Sequence, residues 1–264
     1  MKPYNREYYT QQLDNFNNKI KTFKKTPEGV FRTKSNEDNI TINTIELKYL
    51  DDVTGRVDGY FYKDFTTLNN FPMLLENNNI WMSITPMEID SHWMPIELAY
   101  GRVGVAGLGL GYFIQNILDK PEVLEVIVYE INQTIIDLYK QNFGEHDKLT
   151  IINTNVLDLQ DEYFDFFYND IYRTLFCDDA IDHMKTLLKV NYINTYFFWG
   201  MEGYLEAAIK QGQQNFFAIN SYILDQFVIF YQAFLNSEFS SLYQNNYIDD
   251  EIIENFLYTC SLNQ

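Results

Sequence analysis

Three alternate glycines, Gly107, Gly109 and Gly111, stand between an apolar run from Val103 to Ala106 and a segment where Phe113, Ile114, Ile117 and Leu118 recur with helical spacing. A strand that ends in such a loop and resumes as a helix is half of a nucleotide-binding unit. Glycine loses more conformational freedom on folding than any other residue. Three glycines in five positions are therefore expected where main chain must approach something closely. The next apolar run, Leu124 to Tyr129, ends in Glu130. That acid falls about 20 residues past the loop, where a carboxylate can accept hydrogen bonds from both hydroxyls of a ribose.

The dinucleotide fingerprint G-x-G-x-x-G calls for a small residue where Tyr112 stands, which counts against NAD. A G-x-G-x-G loop with an acid closing the next strand resembles the class I S-adenosylmethionine (SAM)-dependent methyltransferase superfamily. The resemblance implies an α/β, Rossmann-like methyltransferase fold, with a parallel-dominated sheet and helices on both faces. It implies that Gly107, Gly109 and Gly111 lie against the amino-acid end of SAM and that Glu130 holds its ribose. Asn155 falls where the family has an acid or amide against the adenine amino group. The run Phe164-Asp165-Phe166-Phe167-Tyr168-Asn169-Asp170 resembles a strand of aminopropyltransferases and also the strand leading into Asp-Pro-Pro-Tyr of amino-methylating enzymes. Asp170 occupies the acid they share. Ile171-Tyr172 replaces the two prolines, which speaks against methylation of a nucleobase amine.

Ahead of the glycine loop, the stretch from Trp81 to Met94 is rich in polar and aromatic residues. Its place makes it a candidate lid, because ligands of open α/β sheets lie outside the carboxyl ends of the strands. The layout resembles spermidine synthase and its relatives, where an Asp-Glu-x-x-x-His stretch helps form the active site. Here Met87 replaces the Asp, while Glu88 and His92 remain, so the resemblance makes both active-site candidates. Leu110 stands where aminopropyltransferases carry an aspartate against the aminopropyl group, which favours methyl transfer.

The flanking regions read as smaller modules. Tyr9, Leu13, Phe16, Ile20 and Phe23 predict a helix over residues 5–24. Alternation through Ile40, Ile42, Ile45, Leu47 and Tyr49, a turn at 51–55, a strand from Val57 to Phe65, and the runs 73–75 and 80–82 predict a small antiparallel sheet. Core helices are expected over 131–143 and after a cap at Asp178, with strands at 150–153, 164–170 and 194–199. The segment 221–235 is apolar nearly all round and is a candidate homodimer contact, and 249–259 predicts a last amphipathic helix. The expected organisation is an N-terminal helix and β module over 1–90, a SAM-binding core over 91–200 and a helical extension over 201–264.

Charge bounds the partners. Nineteen basic against 37 acidic residues give a net charge of −18. Such a surface repels a phosphate backbone, so a small-molecule acceptor or a protein is expected rather than nucleic acid. Cys177 and Cys260 have no metal-ligand spacing, and neither do His92, His146 and His183, so no metal is expected. No run reaches about 18 consecutive apolar residues, which predicts a cytoplasmic protein without a membrane span. The abundance of Asn, Tyr, Phe and Ile fits an AT-rich genome such as a bacteriophage's. Three functions follow: methyl transfer from SAM to an unidentified acceptor, aminopropyl transfer from decarboxylated SAM, or an inactive acidic module that binds a host protein.

Overall fold

The computed structural model describes residues 6–20, 45–50, 53–58, 63–68, 71–76, 79–173, 177, 179–201, 226, 229 and 232. The chain divides into two compact units, Met1–Val156 and Leu157–Gln264.

In the first unit, helix α1 (Arg6–Lys19) buries Tyr9, Leu13 and Phe16 at the expected spacing, followed by the buried Ile20. Its predicted continuation through Phe23 lies outside the described residues. Strands β1 (Ile45–Leu50), β4 (Phe71–Glu76) and β5 (Asn79–Ser83) form an antiparallel sheet with β4 in the middle. Strands β2 (Val53–Asp58) and β3 (Lys63–Leu68) form a separate antiparallel pair. The antiparallel module is as expected, but its inner turn is not. Gly55 lies inside β2 opposite Thr66, and Val57 and Phe65 fall on two strands that pair with each other rather than on one. A five-residue polar stretch containing one glycine read as a turn, whereas cross-strand pairing keeps most of it extended. Ile40 and Ile42 lie outside the described residues.

The stretch from Trp81 to Met94 is regular structure rather than an irregular connection. Trp81–Ser83 completes β5, and Pro86–Leu98 is helix α2, with Thr85 at the N-cap and Pro86 in the first turn. Thr-Pro is a helix-start signal, since proline has no N–H to leave unsatisfied and its φ is already helical. Periodicity hid the helix because both its apolar and its polar residues are buried, among them Glu88, Ile89, Asp90, Ser91, His92 and Met94.

A five-stranded parallel sheet flanked by helices makes the Rossmann-like core, in the order β10-β9-β6-β7-β8. Strands β6 (Gly101–Ala106), β7 (Val123–Glu130) and β8 (Leu149–Asn153) belong to the first unit, with helices α3 (Tyr112–Ile117) and α4 (Gln133–Phe143) between them. Parallel register sets Val105 opposite Val128 and Ala106 opposite Tyr129, so the glycine loop and Glu130 leave neighbouring strands at the same edge. Carboxyl ends of parallel strands are where open α/β sheets bind ligands.

In the second unit, β9 (Tyr163–Asn169) pairs in parallel with β10 (Tyr192–Phe198). Phe164, Phe166, Phe167 and Tyr168 are all buried, the continuous apolar pattern of a strand covered on both faces. Phe167 stacks on Tyr196 with ring centroids 5.6 Å apart. Helix α5 (Ala180–Val190) buries Ile181, Met184, Leu187 and Leu188. Its N-cap is Asp179, which makes no side-chain capping bond, rather than Asp178. Of the segment 221–235 only Gln226, Ile229 and Gln232 are described. Buried Gln226 accepts from Tyr196 N at 2.7 Å and donates to Asn194 O at 3.1 Å, which satisfies main-chain groups of β10. The expected helix at 249–259 lies outside the described residues. No helix among the described residues is long and apolar enough to cross a membrane.

Candidate functional site

The glycine loop is built from main-chain conformations that side chains resist. Gly107, Gly109 and Gly111 have φ of 90°, 49° and 80°. The loop's N–H groups are mostly engaged within the first unit. Gly107 N donates to Tyr129 O at 2.9 Å and Gly111 N to Leu108 O at 2.8 Å. Leu108 N donates to Glu130 Oε2 at 2.9 Å, and Leu110 N to Met82 Sδ at 2.9 Å. The glycines are also needed for packing. A Cβ on Gly109 would overlap the Met82 sulfur, and one on Gly111 would overlap the Tyr139 ring. What approaches the main chain closely at Gly109 and Gly111 is this chain's own Met82 and Tyr139 side chains.

Glu130 is buried, with both carboxylate oxygens held by main chain: Oε2 by Leu108 N–H and Oε1 by Asn132 N–H at 2.8 Å. Burial raises its carboxyl above the ordinary value of 4.5, opposed by the N–H groups of Asn132, Leu108 and Ile131, which favour the anion. The chain after Glu130 is pinned as well. Asn153 Nδ2 donates to Glu130 O at 2.8 Å and to Ile131 O at 3.0 Å. Asn132 Oδ1 caps α4 by accepting from Thr134 N at 3.0 Å. Next to the acid, Ile131 is 71% exposed and Ile152, on the neighbouring strand, is 39% exposed.

The structure therefore brings Gly107, Gly109, Gly111 and Glu130 into one constellation. Asn155 is half-buried in the connection between β8 and a short 3-10 turn, Val156–Asp158. Glu88 and His92 meet one turn apart on α2: His92 Nδ1 lies 2.8 Å from the Glu88 carbonyl oxygen and 3.7 Å from Glu88 Oε1. A hydrogen on Nδ1 suits the carbonyl. The imidazole is 1% exposed, edge-on to Tyr112 at 5.9 Å. Asp170, in the second unit, is half-buried one residue past β9. The preceding Asn169 is wholly buried and donates to the hydroxyls of Tyr172 and Tyr196, each at 2.8 Å.

Sequence reasoning missed Met82, Asn132, Asn153 and Asn169. An asparagine just before a helical run is a cap signal, so Asn132 was findable. Met82 and Asn153 act across more than 20 positions, and Asn169 joins Tyr172 to the distant Tyr196, so none of the three leaves a local mark.

Beside the loop is a cavity of about 20 Å³ lined by Phe16, Ile20, Pro72, Gly109, Leu110, Leu138, Tyr139, Asn142 and Phe143. It has room for little more than one water. A nucleoside does not fit there. The carboxylate edge is a different matter. The Glu130 oxygens accept from main-chain N–H groups, and a carboxylate offers about four lone-pair sites in all, an acceptor set that fits ribose hydroxyls.

No protein-family model matches the sequence, and none of the curated proteins matches it. Among solved structures, spermidine synthase from Thermotoga maritima is similar at 15% identity over 62% of this chain and 53% of that one, with a TM-score of 0.40. The 23S rRNA methyltransferase ErmE is similar at 16% identity over 41% of this chain and 43% of that one, with a TM-score of 0.34. The N-methyltransferase NodS from Bradyrhizobium japonicum WM9 is similar at 18% identity over 38% and 58%, with a TM-score of 0.31. The matched part is about half the length of these proteins.

Proposed function

We propose that the chain is a SAM-dependent transferase that grips the adenosine of its cofactor through Glu130 and the 107–111 loop and passes the methyl group to a small molecule or a protein. The observation that carries this reading is the Glu130 carboxylate, oriented by Leu108 N–H and Asn132 N–H beside the glycine loop at the carboxyl edge of a parallel sheet. A buried acid held by main-chain donors is costly to maintain, and neutral hydroxyls suit the acceptor capacity those donors leave. Exposed Ile131 and Ile152 offer apolar area for a base, and Asn155 is the polar residue assigned to the adenine edge.

SAM supplies a methyl carbon already activated by its sulfonium, so the protein's part is to hold the reacting atoms in line and exclude water. Asp170 is assigned to orient the acceptor and take its proton. Glu88 and His92 are assigned to the acceptor side, His92 as a positioning group whose ring is fixed by the Glu88 carbonyl. Aminopropyl transfer from decarboxylated SAM is the second reading, supported by the antiparallel module ahead of the core and opposed by Leu110.

Calorimetry with SAM, decarboxylated SAM and methylthioadenosine tests both. Binding of SAM supports methyl transfer, tight binding of only the decarboxylated form selects aminopropyl transfer, and binding of none leaves the protein-binding module. Glu130→Ala should weaken nucleoside binding at least tenfold without unfolding the chain, since it removes two charge-assisted acceptors. Unchanged affinity in that variant removes the ribose assignment.

A further inference from the structure

The loop's internal partners are unequal. Gly107, Leu108 and Gly111 donate to carbonyl or carboxylate oxygens, whereas Leu110 N–H donates to the thioether sulfur of Met82. A thioether is a weak acceptor, and an oxygen, above all an anionic one, replaces it readily. The same sulfur fills the space that the missing side chain of Gly109 leaves over the main chain. Met82 belongs to β5, where it is half-buried, and reaches the loop across 28 positions of sequence.

We propose that the Met82 thioether is a placeholder on the glycine loop, which a ligand carrying an amino-acid carboxylate displaces to take Leu110 N–H and the surface of Gly109. This rests on the reading of 107–111 as the SAM loop and adds to it a specificity element. The displaced partner is a neutral sulfur, so a ligand that ends in a carboxylate gains a stronger bond than the one it breaks, and a ligand without that carboxylate gains none.

Two measurements on the full chain test this, with S-adenosylhomocysteine as the probe. Met82→Ala should bind it about tenfold more tightly than the native chain, because a hydrogen bond and its contacts no longer have to be given up. In dilute hydrogen peroxide, which passes one oxygen to the thioether sulfur and leaves as water, Met82 of the native chain should form sulfoxide faster with the probe bound than without it. This second readout needs no folded variant. Equal or weaker affinity in a folded Met82→Ala chain, or slower oxidation of Met82 with the probe bound, overturns the placeholder while leaving the SAM reading in place. If neither chain binds S-adenosylhomocysteine or SAM, the SAM reading fails, and the placeholder with it.

Discussion

Glu130 is a carboxylate kept out of water by the strand it ends, and its charge is tolerated because main-chain N–H groups point at it. Its carboxyl titrates above 4.5 because burial outweighs those bonds. The folded chain therefore holds this proton more tightly than the unfolded chain does, and stability falls as pH rises from 4.5 through the folded value. Glu130→Gln has no such group to titrate. It should lose less stability than the native chain between pH 4.5 and 7 in urea melts, and parallel losses would count against the burial argument. Gly111 is fixed by the same logic of space: its φ of 80° and the Tyr139 ring beside it both exclude a side chain. Gly111→Ala should cost about 1–3 kcal/mol in the same assay.

At the scale of elements, the ends of strands and helices carry the site. Asn132 closes the turn between β7 and α4, accepting from Thr134 N and donating its own N–H to Glu130. Asn132→Ala keeps the main-chain donor and loses the cap, so it should destabilise by about 1 kcal/mol and change nucleoside affinity little. A large loss of affinity would mean that the side chain itself touches the ligand. Asn169 anchors the end of β9 by giving one amide to two tyrosine hydroxyls, and burial keeps the Tyr196 hydroxyl protonated. Asn169→Ala removes the donor that both share in a site with no access to water. It should cost about 1–3 kcal/mol, read by thermal or urea unfolding of the full chain. The aromatic-rich segment 164–168 already marked β9 as a strand, and periodicity already marked α1, α4 and α5. Helix α2 was not legible, because burial on several sides erases the contrast on which periodicity depends.

For the whole molecule, 37 acids against 19 bases mean self-repulsion at neutral pH. Raising salt from about 10 mM to about 500 mM shortens the screening length from roughly 30 Å to under 8 Å and should raise Tm, whereas a Tm independent of salt would mean that the charges are locally compensated. The sequence by itself determined the strand, glycine loop, helix, strand and terminal acid from 101 to 130. Each of these is set by neighbours a few residues apart, through alternation, helical spacing and the positive φ that only glycine accepts cheaply. Only the tertiary structure decided that Met82 covers Gly109, that Asn153 clamps the chain behind Glu130, and that Tyr139 fills the space at Gly111. Those contacts join residues about 20 to 30 positions apart, and strand register and helix packing fix them rather than any local preference.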